Sequence, residues 1–193
     1  MDKYRDTPEF RNVEHVSYVD ADMQLVDTLR KGKTNCVVEL MHAIDRLKDY
    51  RNMSDSLVRL NLMYVIHIVG DMHCPSHVKY PGCKSGRADL NGKKMSYHAM
   101  WDWGVLDGAH GWSYSEYRLL LDTFSKREKA GMAKGTPREW LYETAVACRV
   151  IYDWQRADGT YGKQFVTDTY LLPERQLILA SYRLAAVLND LFG

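Results

Sequence analysis

Apolar residues recur at helical spacing along most of this chain. Val37, Leu40, Met41, Ile44 and Leu47 share one face of a helix expected from about Asn35 to Tyr50. Ser54 is placed to cap a second helix carrying Leu57, Leu60, Tyr64 and Val65. That helix should run to the neighbourhood of Met72 and stop before Pro75, whose ring removes a donor and crowds the preceding turn. From Lys79 to Met95 the pattern lapses, and Pro81, Gly82, Gly86 and Gly92 read as a long loop. Helical spacing resumes near Ser96 and again from Trp112 to about Lys129. Thr136-Pro137-Arg138-Glu139 forms a capping box with proline at the first helical position, opening a helix through Trp154. Pro173 opens a C-terminal helix carrying Leu177, Ile178, Tyr182, Leu184, Leu188 and Leu191. Only the segment up to Asp20 reads as irregular or extended. The expectation is an all-α fold, a single compact multi-helix domain over residues 1–193.

Composition excludes several classes. With 193 residues, 46% of them hydrophobic, the chain can bury a core without staples, so disorder and low-complexity architectures are out. A net charge of +1 argues against a protein that coats duplex DNA, because such binding neutralises many phosphates. No apolar run approaches the roughly 20 residues that span a bilayer. The start, Met1-Asp2-Lys3-Tyr4-Arg5-Asp6, has neither part of a secretory signal. Cys36, Cys74, Cys83 and Cys148 fit neither a redox motif nor a zinc ribbon, and leave the redox compartment open.

Histidine is the informative residue type. Five of the seven (His67, His73, His77, His98 and His110) fall in one central stretch. His67 and Asp71 are four apart, as are His98 and Asp102, which sets each pair on one helical face. Imidazole and carboxylate together suit zinc. A single such pair is usually an ion pair or a satisfied core histidine. The first pair, however, lies in His67-Ile68-Val69-Gly70-Asp71-Met72-His73-Cys74-Pro75-Ser76-His77, where apolar neighbours would bury the polar groups and oblige them to find partners. Gly70 allows close approach to the backbone between the pair. Pro75 frees His77 to turn toward another element. His67 and Asp71 can then serve one metal and His77, His98 and Asp102 a second, with Asp71 able to bridge. His73 is placed to hydrogen-bond behind the ligands. His42 is expected to be exposed, and His110 to pack locally. Trp101, Trp103 and Trp112 are expected to wall the second motif.

These motifs, with His98-Ala99-Met100-Trp101-Asp102, resemble the zinc-dependent single-strand-specific nucleases, the nuclease S-one and P-one family, distant relatives of zinc phospholipase C. Thr34-Asn35-Cys36-Val37-Val38 and the ending with Arg183-Leu184-Ala185 and Leu188-Asn189 are similar to the same family. The resemblance implies a helical fold holding three zinc ions, which cleaves single-stranded DNA or RNA and 3′-nucleotides. It implies one zinc on Asp2, His67 and Asp71 with a further histidine, and a second on His77, His98 and Asp102. It implies that Asp20 orients or deprotonates the attacking water. Ser17 stands where the family pattern has a histidine, and His15, two residues earlier, is placed either to substitute or to lie at the surface. The resemblance also implies a Cys36–Cys148 disulfide, with Cys74–Cys83 as a second pair, and so a secreted or periplasmic protein whose signal peptide is absent from this sequence.

The family's N-terminal Trp-Gly and first-histidine segment has no counterpart. The third zinc therefore lacks most of its ligands, and two sites are recognisable. The chain is expected to be either a fragment of a longer protein or a degenerate member. The family's glycine- and asparagine-rich nucleotide loop is replaced by one carrying Lys79, Lys84, Arg87, Lys93 and Lys94 against Asp89. Lys84 and Arg87 are candidates for steering phosphate, and Tyr80 for stacking on a base. The alternatives are a phospholipase C-like lipid phosphodiesterase and a truncated metal-binding domain without catalysis. Oligomeric state is left open.

Overall fold

The computed structural model describes residues 11–29 and 32–193. Asn35 sets the first helix. Its Oδ1 accepts the Val37 amide at 3.3 Å, and α1 (Cys36–Leu47) begins there. The same buried side chain donates to the carbonyls of Tyr18 and Val26, both at 2.9 Å. One amide thus ties the irregular N-terminal segment to α1. Within that segment, β1 (Ser17–Tyr18) runs parallel to β2 (Val78–Lys79), with Ser17 opposite Val78.

The central element is α2 (Asp55–His73), which follows Ser54 as expected and packs along α1. Val65, Val69 and Met72 interdigitate with Leu40, Ala43 and Leu47, all without exposure. Helix α2 stops because Cys74 takes an extended conformation ahead of Pro75, and Pro75–His77 then forms one 3₁₀ turn.

The segment expected to be a long loop folds further. A hairpin of β3 (Arg87–Leu90) and β4 (Lys93–Ser96) turns at Asn91 and Gly92, both with positive φ (53° and 85°). Asn-Gly there is the pair that a tight hairpin turn requires, because both central residues take left-handed angles. Strand β5 (Thr160–Tyr161) adds parallel to β3, giving the order β4-β3-β5. The chain continues through α3 (Tyr97–Ala99), a π turn over Met100–Gly104 and α4 (Val105–Ala109). A Cβ on Gly104 would lie 3.0 Å from Met95 Sδ and 3.2 Å from Leu90 Cδ2, so glycine there lets the hairpin seat against the π turn.

Three capping boxes start the next helices. Ser113 with Glu116 opens α5 (Tyr114–Leu121), Ser125 with Glu128 opens α6 (Lys126–Met132), and Thr136 with Glu139 opens α7 (Pro137–Cys148). The stretch expected as one helix to about Lys129 is thus two, and α7 tightens into a 3₁₀ turn over Arg149–Tyr152 instead of continuing to Trp154. Two short-range readings also shift at the C-terminus. Helix α8 (Lys163–Thr169) was not expected, and Pro173 lies in the first turn of α9 (Leu171–Phe192), where its missing amide costs nothing.

The helices bury two adjoining cores. One lies around α1, α2 and α7. The other is aromatic, built on Tyr97, Trp101, Tyr161 and Phe165 with Met100, Val105 and Ile151. Tyr152 packs against both. Arg183, also buried, braces the end of α2. It donates to His73 Nε2 at 2.8 Å and to the Met132 carbonyl at 3.2 Å, and pairs with Glu143. Since His73 Nδ1 must donate to the Val69 carbonyl (2.7 Å), His73 is held neutral with Nε2 as an acceptor. Burial, the leading cause, together with the arginine, pushes its pKa down to about 4. No helix among the described residues is long and apolar enough to cross a membrane.

Asn35→Ala should lower unfolding stability by about 2–4 kcal/mol, since it removes two hydrogen bonds made by a buried side chain together with a helix cap. Urea denaturation would measure this. A loss within 0.5 kcal/mol, the usual range for an ordinary surface substitution, would show that the N-terminal segment does not depend on that amide.

Candidate metal centre

The last two turns of α2 present His67 and Asp71 on the same side, as the spacing of four requires. His67 Nε2 lies 2.9 Å from Asp71 Oδ2. The 3₁₀ turn after Pro75 swings His77 back, so that its Nδ1 lies 3.2 Å from the same oxygen. On the other side of that ring, His77 Nε2 is 3.4 Å from Asp102 Oδ1. Asp102 comes from the π turn, and His98, on α3, stacks its ring on His77 at a centroid distance of 4.6 Å. Cys74 Sγ completes the cluster, 3.6 Å from Asp102 Oδ1. Among the described residues, donor atoms of Cys74, His77 and Asp102 lie within 4.8 Å of one another.

Imidazole and carboxylate therefore alternate from His67 to Asp102. The contacts are short, yet His67 Nε2 and both ring nitrogens of His77 are buried without meeting hydrogen-bond geometry. Converging nitrogen and oxygen atoms with misdirected lone pairs are what a cation between them would satisfy. His15 stands beside His67, ring centroids 6.4 Å apart and nearly perpendicular. A cavity of about 10 Å³, lined in part by His15, His67, Asp71 and Cys36, lies there, room for one small ion or water. The donor set fits a divalent transition metal at two positions, one beside His67 and Asp71 and one beside His77 and Asp102.

Electrostatics follow the same geometry. Burial opposes ionisation of Asp71, but the neighbouring imidazoles of His67 and His77 outweigh it and hold the carboxyl at about 2. Burial likewise opposes the His77 cation, and the carboxylates of Asp102 and Asp71 overcome it, raising the imidazole to about 9. His98 moves down, through burial and then the His77 charge. Burial, then the nearby carboxylate of Asp102, pushes the Cys74 thiol up to about 12, offset in part by Ser76.

A profile of the family described as S1/P1 Nuclease matches residues 1–193. The chain belongs to the S1/P1 nuclease family. Endonuclease 4 of Arabidopsis thaliana is 25% identical over an alignment covering 98% of this chain and 69% of the relative. Endonuclease 2 of the same plant is 27% identical over 83% of the chain and 63% of the relative, and nuclease S1 of Aspergillus oryzae is 27% identical over 72% and 50%. The alignments thus span from half to just over two thirds of these relatives' length. The predominantly helical fold with small sheets is that of the family, and the family is metal-dependent.

Against this S1/P1 framework, the sequence-predicted residues divide clearly. His67, Asp71, His77, His98 and Asp102 come together, and His15 joins them from the N-terminal segment. Asp2 lies outside the described residues. Asp20 is exposed two residues beyond β1, where one carboxylate oxygen accepts the amides of Asp22 and Gln24 at 2.9 and 2.8 Å. Lys84 and Arg87 are exposed on the segment leading into β3 and on its first residue. Tyr80 is a correction. It is buried, its hydroxyl donates to the Ala145 carbonyl at 2.8 Å, and its ring meets Tyr152 edge-on, so it offers no face to a base.

The cysteines are the second correction. All four are free thiols, so neither Cys36–Cys148 nor Cys74–Cys83 is joined. Cys36 Sγ faces Ser17 Oγ at 3.3 Å, and Cys74 Sγ faces Ser76 and Asp102. Both of these thiols point at a partner other than the one expected. Trp101 is buried beside the second motif, whereas Trp103 is partly exposed under Lys93 and Trp112 stacks on His110 away from it. His110 pairs with Glu174 at 2.6 Å, a local packing role, and His42 is exposed, both as expected. A Cβ on Gly70 would meet nothing within 4 Å, so the helix surface beside His67 and Asp71 is open there. The residue missed as a member of the cluster is Cys74, three before His77, a Cys-x-x-His spacing that was legible.

The metal-free protein should carry a pH signature. His77, raised from 6.5 to about 9, contributes stability that is complete below pH 6.5 and lost as pH rises through 9. Asp71, lowered from 3.8 to about 2, contributes stability complete above pH 3.8 and lost as pH falls toward 2. Thermal unfolding in a chelator from pH 6 to 10 should therefore show a falling Tm, with a smaller fall in His77→Gln. Parallel curves for the two proteins would rule out this contribution.

Proposed function

We infer that this chain is a zinc-dependent hydrolase that cleaves phosphodiester bonds in single-stranded DNA or RNA and removes 3′-phosphates from nucleotides. The observation that carries the reading is the shared oxygen of Asp71, within 3.2 Å of both His67 and His77, with Asp102 beyond. Membership of the S1/P1 nuclease family, and the endonuclease names of its relatives, supply the reaction class.

In this reading His15, His67 and Asp71 would hold one zinc, and His77, His98 and Asp102 a second. Asp2 is assigned to the first site from the resemblance alone. Bound zinc supplies Lewis-acid activation of the phosphoryl group and of water. The protein's own residues do the rest. Asp71, in contact with both His67 and His77, would set the spacing between the two positions. His73, locked by Val69 and Arg183, fixes the turn that carries Asp71 and Cys74. Asp20 orients the attacking water and accepts its proton. Open space beside Gly70 admits the phosphate, and Lys84 and Arg87 draw the strand toward it. An extracytoplasmic setting is carried over from the family, whose members are typically secreted, and not from the cysteines.

Asp71→Asn tests the reading. Outer partners of metal ligands typically contribute about 10–100-fold to activity, so loss of a ligand itself should exceed about 100-fold. Hydrolysis of denatured DNA and of 3′-AMP would be assayed in the zinc-loaded full chain and its variant, with phosphatidylcholine vesicles in parallel. A zinc-loaded protein that hydrolyses none of these overturns the reading; turnover of the phospholipid alone would make it a lipid phosphodiesterase.

A further inference from the structure

The sulfur of Cys74 occupies a position that the proposed histidine and carboxylate ligands do not explain. It caps the C-terminus of α2, and its carbonyl accepts the His77 amide at 3.0 Å, so the turn presents sulfur and imidazole to the same space. Sγ is surrounded by oxygen: Ser76 Oγ at 3.4 Å, Asp102 Oδ1 at 3.6 Å and the Trp101 carbonyl at 3.9 Å. A single S–H cannot serve all three. Beside it, the buried Nε2 of His77 lies 3.4 Å from the same Asp102 oxygen, without a hydrogen bond.

These separations have the dimensions of a coordination polyhedron. Bonds of about 2.3 Å to sulfur and about 2.0–2.1 Å to nitrogen or oxygen place tetrahedral neighbours about 3.5 Å apart for sulfur and oxygen, and about 3.4 Å for nitrogen and oxygen. The observed edges are 3.6 and 3.4 Å. We propose that Cys74 is a thiolate ligand of the second metal position, with His77 and Asp102, making it a mixed sulfur, nitrogen and oxygen site. Binding forms the Sγ–metal bond and releases the Sγ–H proton to solvent. Ser76 Oγ then donates to the bound sulfur, as a partner of a ligated thiolate should. Such a site favours zinc over magnesium, calcium or manganese, which prefer all-oxygen surroundings.

The proposal rests on the metal-centre reading above, and the experiment separates the two. Cobalt(II) is titrated into the metal-free full chain, and the near-ultraviolet thiolate-to-cobalt charge-transfer band is followed. The band should appear in the wild type and in Cys83→Ser, and be lost in Cys74→Ser. Zinc K-edge X-ray absorption on the wild type, which needs no variant to fold, should show one sulfur at about 2.3 Å. Bound cobalt and zinc with neither the band nor the sulfur shell would overturn Cys74 ligation and leave the metal centre standing. No bound cobalt or zinc at all would overturn both.

Discussion

One oxygen atom organises this molecule. Asp71 Oδ2 lies within 3.2 Å of two imidazoles that reach it from opposite directions, one along α2 and one from the turn beyond it. Two such contacts on a partly buried carboxylate hold only if the helix ends in a defined place. Pro75 forces that ending by setting Cys74 extended, and the following 3₁₀ turn returns His77. The apolar face of α2 fixes the helix in turn, since Val65, Val69 and Met72 have no freedom to slide in a close-packed core.

The polar braces around this ending have a common logic. Asn35 and Arg183 are both buried, and both spend their hydrogen bonds on backbone or side-chain groups from distant segments. Neither contributes to a surface. Asn35 holds the segment that brings His15 toward His67, and Arg183 holds the histidine behind Asp71. Replacing either by an apolar residue of similar size removes several hydrogen bonds at once, which is why such positions are costly to change. The centre also lies where two cores meet, α2 belonging to one and the Tyr97–Trp101 cluster to the other. Its ligands are thus positioned by two packed bodies, with Tyr152 in contact with both.

Much of this was legible in the residues, and for identifiable reasons. Long amphipathic helices declare themselves by spacing, so α1 and α2 begin and end where Asn35, Ser54 and Pro75 indicate. The pairs His67/Asp71 and His98/Asp102 were legible because a period of four needs no tertiary information. The π turn keeps the second pair together but leaves no trace in composition. The β3–β4 hairpin was obscured by lysines and glycines that resemble a loop, although Asn91-Gly92 carries its turn signal. Tyr80 was misplaced because burial after a two-residue strand depends on what α7 offers, here the Ala145 carbonyl. The disulfide pairs come from resemblance alone, whereas the directions that the Cys36 and Cys74 sulfurs face follow neighbours such as Ser17 and Asp102.

The parallel pairing of β1 with β2 carries a consequence for how the molecule assembles. Ser17 meets Val78 across some sixty residues, through a ladder only two residues long on each side. Such a contact closes a large loop for few hydrogen bonds, which leaves little to offset the entropy of closure. The segment bearing His15 and Asp20 is therefore held to the rest by a few long-range contacts, this ladder and the Asn35 amide among them. An ion gripped from both sides would act as a clasp on that segment, lending it a rigidity the backbone alone does not provide.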